Sequence, residues 1–150
     1  MPVKKLKDFL DKNHIKYLSI KHSPAFTAQE IAELSHIHGK QMAKVVMLMI
    51  DGKMEMAVTS ADHRIDLASL KDKIESKGEI LLADEKEFKN RFPDCEVGAM
   101  PPFGNLYDMN VYVDSLLSNN QEIVFNAGSH TEVIRMSYAD FERLVKPKMF

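Results

Sequence analysis

Residues 43–60 constrain the fold most. AKVVMLMI (43–50) and KMEMAVTS (53–60) are joined by Asp51-Gly52. A two-residue Asp-Gly link suits a type I′ turn, whose central residues both need positive φ, so the pair is expected to close as a β-hairpin. Along 43–50 the side chains alternate, with Val45, Met47 and Met49 on one face and Lys44, Val46, Leu48 and Ile50 on the other. A strand that is apolar on both faces belongs in the middle of a fold. Lys44 is the odd residue. It either snorkels to water from the strand end or aims its ammonium into a pocket, at a carbonyl, phosphate or ribose.

The segments around the hairpin mix helices with further strands. VKKLKDFLDKN puts Val3, Leu6, Phe9 and Leu10 on one helical face. IKYLSIKH reads as a short strand, and Thr27-Ala-Gln-Glu30 as a capping box opening a helix through Ile31 and Leu34 to about Gly39. Asp66 is placed to cap a helix carrying Leu67, Leu70 and Ile74, with Gly78 as its stop. EILLA is a short strand. Asp84-Glu-Lys-Glu87 starts a helix that ends before Pro93. NVYVD (110–114), QEIVFNA (121–127) and TEVIRM are strand candidates, with Gly128-Ser129-His130 as a turn. Ser137-Tyr-Ala-Asp140 opens a last helix holding Phe141 and Leu144. Without a regular βα alternation this order predicts an α+β fold: one domain over residues 1–150, a largely antiparallel or mixed sheet, and flanking helices.

Composition excludes several classes. No apolar run approaches the roughly 20 residues of a membrane helix, and MPVKKLKDFLDKN lacks the apolar core and cleavage site of a secretory signal. One cysteine, Cys95, permits neither an internal disulfide nor a cysteine-based zinc site. A cytoplasmic location is expected. The net charge of −2 is unevenly spread: Lys4, Lys5, Lys7, Lys12, Lys16 and Lys21 face only Asp8 and Asp11 in the first 21 residues, and Arg143, Lys146 and Lys148 lie near the other end. If the ends meet, they form a basic patch able to touch phosphates; a solvated helix face is the plainer reading. His14, His22, His36, His38, His63 and His130 show no metal-binding spacing. Neither a metal nor a cofactor is expected. Cys95 has no neighbouring base to make it a nucleophile.

Residues 98–104 read G-A-M-P-P-F-G. Glycine lets another molecule approach the backbone, and proline stiffens the chain while removing donors. The stretch is either a rigid surface turn or a loop whose backbone N–H groups face a ligand.

Three features together are similar to one family. They are the lysine-led strand M-A-K-V-V-M-L, the loop G-A-M-P-P-F-G about fifty residues later, and the closing A-G-S-H-T-E-V-I-R-M-S-Y-A-D-F. The chain resembles, over essentially its full length, a free-standing YbaK/prolyl-tRNA synthetase-associated domain. The resemblance implies a curved, largely antiparallel or mixed sheet with flanking helices. It implies trans-editing hydrolysis of the ester of a mischarged aminoacyl-tRNA, with Ala, Cys or Ser as the first amino acids to try and tRNA(Pro) as the expected carrier. By position it assigns Lys44 and Gly98 the catalytic roles: Lys44 holds the ester or terminal nucleotide, and Gly98 supplies backbone contacts. Pro101, Pro102 and Gly104 shape the loop, while Met100 and Phe103 border the amino-acid pocket. Gly128, Ser129 and His130 form a looser match for substrate contacts. The implied partners are aminoacyl-tRNA and an aminoacyl-tRNA synthetase, with no membrane and no DNA. An activated ester needs no strong nucleophile, since fixed donors and one admitted water suffice. Two other readings stay open: a non-catalytic tRNA- or synthetase-binding module, and a regulatory protein that binds a small metabolite.

Overall fold

The computed structural model describes residues 4–22, 41–61, 63–74, 78–96 and 98–150. Val3, the capping box at Thr27–Glu30 with its helix to Gly39, and the pair His36 and His38 lie outside the described residues.

The hairpin forms as expected. Strands β2 (Ala43–Ile50) and β3 (Lys53–Ser60) pair antiparallel, with Met47 opposite Met56. Asp51 at φ 51° and Gly52 at φ 82° supply the two positive φ values of the turn. The other described strands are β1 (Tyr17–Lys21), β4 (Ile80–Leu82), β5 (Val111–Val113), β6 (Glu122–Ser129), β7 (Glu132–Ser137) and β8 (Lys148–Met149). The helices are α1 (Lys4–Lys12), α2 (Leu67–Lys73), α3 (Glu85–Phe88) and α4 (Tyr138–Val145).

The fold is α+β, but the strands divide into two sheets rather than one. One runs β1-β7-β6 and is antiparallel throughout. The other runs β4-β2-β3-β5-β8, with parallel pairing at β3–β5 and β5–β8. A single parallel bridge between Met42 and Val124 joins the start of β2 to β6. β2 lies between β3 and β4 and is covered on both faces. Met47, Met56, Val58 and Val113 enter the main core with Phe103, Phe125 and Phe141, while Leu48, Ile50, Ala57 and Tyr112 pack with Leu70 of α2. Each fully buried side chain of this size stabilises the fold by roughly 1.5–3 kcal/mol relative to exposure.

Local signals account for most element starts. The Asp66 carboxylate accepts from the Ala68 and Ser69 amides, Asp84 and Glu87 form a reciprocal capping box, and the Ser137 hydroxyl accepts from the Asp140 amide. The Gly128-Ser129-His130 segment departs from its expected place in a turn. β6 continues through Ser129, and the reversal falls at His130 and Thr131. A register shift between Asn126 and Ser129 absorbs two extra residues, Ala127 and Gly128, as a β-bulge.

The two chain ends share one core, since Leu6 and Leu10 of α1 join the same cluster as Tyr138, Phe141 and Val145 of α4. The lysines of α1 are partly engaged. Lys7 Nζ lies 2.8 Å from a Glu132 carboxylate oxygen, which also accepts from Ser19, and Lys5 Nζ stands 4.6 Å from the Tyr107 ring centroid. At the other end Arg143 pairs with Asp140 at 3.2 Å.

Candidate active site

The Gly/Pro loop has two sides. Its aromatic residue points inward: the Phe103 ring is fully buried and meets Phe125 and Phe141 at centroid distances of 5.5 and 5.6 Å, with Phe9 edge-on at 6.1 Å. Met100, Pro101, Pro102 and Gly104 are buried as well. Phe103 therefore anchors the loop to the core. Gly104 allows tight packing, because a β-carbon there would come within 2.7 Å of Val111 Cγ2. The exposed residue of the stretch is Gly98, at φ 84°, where the Ala99 amide closes a turn onto the Glu96 carbonyl at 3.0 Å.

This turn is fastened to the β6 bulge. The Glu96 amide donates to the Gly128 carbonyl at 2.9 Å, and the Gly128 amide donates to the Ala99 carbonyl at 2.8 Å. Beyond the bulge, the His130 amide donates to a Glu96 carboxylate oxygen at 2.5 Å. The Ser129 hydroxyl bonds with that of Thr131 at 3.0 Å and accepts from the Thr131 amide. The outcome is a close approach of the two glycine-containing segments. A β-carbon on Gly98 would stand 3.5 Å from His130 Cε1 and 3.8 Å from Nε2. The structure thus brings Gly98, Gly128, Ser129 and His130 together at one exposed edge.

Lys44 lies near the start of β2. It stands opposite Thr59, and the Thr59 hydroxyl donates to Asp114 Oδ2 at 2.9 Å. The other Asp114 oxygen accepts from the Leu116 amide at 2.9 Å, and His63 Nε2 lies 3.6 Å from Oδ2. Lys44 thus heads a polar row, Lys44–Thr59–Asp114, across β2, β3 and the end of β5. Among the described residues, no hydrogen bond or ion pair joins Lys44 to Gly98. Strand β2, which carries Lys44, meets β6 at Met42 instead. Met42, two residues before Lys44 and so on the same face, packs with Val124 of β6 and Val133 of β7, the strands that carry His130 on their connecting turn.

Thr59, Asp114 and Glu96 were not among the residues singled out from sequence. Thr59 and Asp114 left a faint signal, as polar residues ending otherwise apolar strands. Glu96 left none, since its partner is 34 residues away.

The surroundings of Cys95 disfavour its thiolate. Burial chiefly pushes its thiol up to about 11; the Tyr107 hydroxyl at 3.3 Å pulls the other way, and the Asp94 charge adds to the rise. Tyr107 itself is raised well above the ordinary phenol range, first by burial and then by Cys95 and Asp94. A wide cavity of about 810 Å³ opens elsewhere, between the β2–β3 turn and residues 105–110, lined by Lys53, Glu55, Arg91 and Asn110 among others. It includes none of the candidate site residues. Among the described residues, no group of three or more His, Cys, Asp or Glu side chains is arranged to hold a metal ion, and no helix is long and apolar enough to cross a membrane.

Known proteins share this architecture. The Prolyl-tRNA editing protein ProX of Acetoanaerobium sticklandii is 28% identical over 143 residues, covering 91% of this chain and 86% of that protein. The Multifunctional Ser/Thr-tRNA deacylase ProXp-y of Escherichia coli is 26% identical over 135 residues, covering 87% and 80%. Among solved structures, one described as a candidate trans-editing enzyme for prolyl tRNA synthetase superposes with a TM-score of 0.84 at 17% identity, over 99% of this chain and 94% of that one. Hypothetical protein APE2540 superposes with a TM-score of 0.85 at 17% identity, over 97% of both chains. Residues 22–144 match the aminoacyl-tRNA editing domain, and the chain belongs to that family.

Proposed function

We propose that the chain is a trans-editing aminoacyl-tRNA deacylase that hydrolyses the ester of a small, wrongly attached amino acid such as Ala, Cys or Ser, with tRNA(Pro) as the carrier. The observation that carries this reading is the approach of Gly98 to His130, on two backbone segments tied together by three hydrogen bonds. An ester carbonyl lying along the exposed Gly98 turn meets fixed backbone dipoles that need not reorganise as charge develops on its oxygen. The Lys44 ammonium supplies positive charge to that oxygen or to the terminal phosphate. Water attacks the carbonyl carbon, the bond to the ribose oxygen breaks, and that oxygen takes the proton. Ser129 and His130 orient the substrate from the facing hairpin. The names of the two relatives, a prolyl-tRNA editing protein and a Ser/Thr-tRNA deacylase, support the same reaction class. An aminoacyl-tRNA synthetase that supplies the mischarged tRNA is the second partner in this reading.

A deacylation time course tests the reading. The protein is offered Ala-, Cys-, Ser- and Pro-tRNA(Pro) beside a Lys44→Ala variant. Lysine-dependent loss of one aminoacyl group establishes the activity and names the substrate. No loss above the protein-free control on any member of the panel rejects it in favour of a non-catalytic binding module.

A further inference from the structure

We propose that Glu96 is a positioning residue, whose carboxylate sets where His130 stands relative to the Gly98 turn. The inference rests on the reading of Gly98 and His130 as parts of one site. Glu96 bonds the β6–β7 hairpin twice. Its own amide donates to the Gly128 carbonyl at 2.9 Å, and its side chain accepts from the His130 amide at 2.5 Å. The first bond fixes the bulge itself and the second fixes the turn after it. A strand can bend at a bulge and re-aim the residues beyond it, so the second contact controls a direction that the first leaves free. The carboxylate bond to a backbone amide is charge-assisted and stronger than a neutral one.

The location makes this contact matter. Gly98 is two residues from Glu96, and the space where a Gly98 β-carbon would sit opens onto the His130 ring at 3.5 Å. A shift of the hairpin by even 1 Å changes that gap by a large fraction of its width, and misplacement on that scale can cost about 100-fold in rate. The Glu96 side chain is exposed, so its removal leaves no buried cavity and no buried charge without a partner. The Glu96 side chain thus joins the turn that leads into the Gly/Pro loop directly to the hairpin turn.

The test measures kcat and KM for deacylation in wild type, Glu96→Ala, Glu96→Gln, His130→Ala and the double variant Glu96→Ala/His130→Ala. Glu96→Ala is expected to lower kcat about tenfold with KM within about twofold, because orientation and not affinity is lost, a loss within the range for a misplaced group. Glu96→Gln keeps an acceptor oxygen at the same reach and is expected to recover most of the rate. The double variant is expected to match His130→Ala alone, since without the imidazole there is nothing left to position. A Glu96→Ala rate equal to wild type overturns the proposal, as does a double variant that shows both losses in full. If wild type itself shows no deacylation, the parent reading fails and the proposal falls with it, an outcome distinct from an active wild type with an indifferent Glu96.

Discussion

Gly98 and His130 face each other closely enough that a single added methyl group on Gly98 would reach van der Waals contact with the imidazole, at 3.5 Å from Cε1. Two consequences can be separated by experiment. The positive φ of 84° at Gly98 disfavours any residue with a β-carbon by roughly 1–2 kcal/mol. In the proposed reading, the methyl group also occupies the space through which an ester reaches the loop backbone.

Gly98→Ala is therefore expected to lower Tm by about 2–8 °C, the scale of 1–2 kcal/mol in a chain of this size. It is expected to abolish most deacylation at temperatures where the variant is fully folded. Circular dichroism melting and a deacylation assay on the same preparation check both parts. A destabilised variant with normal activity would move the ester away from Gly98.

Lys44→Ala is expected to reduce deacylation by about 10²–10³, the usual loss when one stabilising donor is removed, while Tm stays within a few degrees of wild type. Lys44 is half-buried at the head of β2 and, among the described residues, makes no ion pair that its loss would break. An unchanged rate would remove Lys44 from the site and leave it a snorkelling strand end.

Much of the fold was legible because its signals are local. Asp51-Gly52 dictates its own turn, and Asp66, Asp84 and Ser137 each satisfy amides within three residues. The division into two sheets was not legible, because among the described residues the backbone pairing of β6 with β2 comes down to one bridge at Met42. Strand β8 has two residues and exists by pairing with distant β5, a contact that carries no local pattern. The site divides in the same way. Gly98 and His130 stood out by residue type, whereas Thr59 and Asp114 meet across 55 residues of chain and Glu96 reaches His130 across 34. The inward Phe103 shows how composition misleads: an aromatic between prolines and glycines resembles a pocket wall, yet three other rings claim it for the core.

Cys95 is expected to react slowly with iodoacetamide at neutral pH, at a small fraction of the rate of an ordinary exposed thiol. Its thiol is pushed up to about 11, so little thiolate is present. Alkylation measured by mass spectrometry, repeated near pH 10, should show the rate climbing with pH. Fast labelling at pH 7 would contradict the half-buried Cys95–Tyr107–Asp94 arrangement.

Glu132 ties α1 to the β1–β7 pair and is expected to make folding sensitive to acid. Burial alone would raise its carboxyl; hydrogen bonds from Lys7 and Ser19, with the charges of Lys7 and Lys21, outweigh that and hold it below its ordinary value of 4.5. The folded state therefore favours the ionised form. Its contribution is fully present above about 4.5 and is lost as pH falls through the lower folded value. Lys7→Met removes the main cation while the carboxylate stays mostly buried. That variant is expected to lose about 2 kcal/mol at pH 7, between the values for exposed and buried pairs, or about 4–8 °C in Tm. Its stability should also depend less on pH between about 3 and 5 than in wild type, because burial now acts on the carboxyl with less opposition and the folded value moves back toward the unfolded one. Glu132→Gln, with no carboxyl to titrate, should flatten the dependence of Tm on pH over the same range relative to wild type. Melting curves at half-unit pH steps decide the matter. If all three proteins give parallel curves, the Lys7–Glu132 contact does not set the acid limit of this fold.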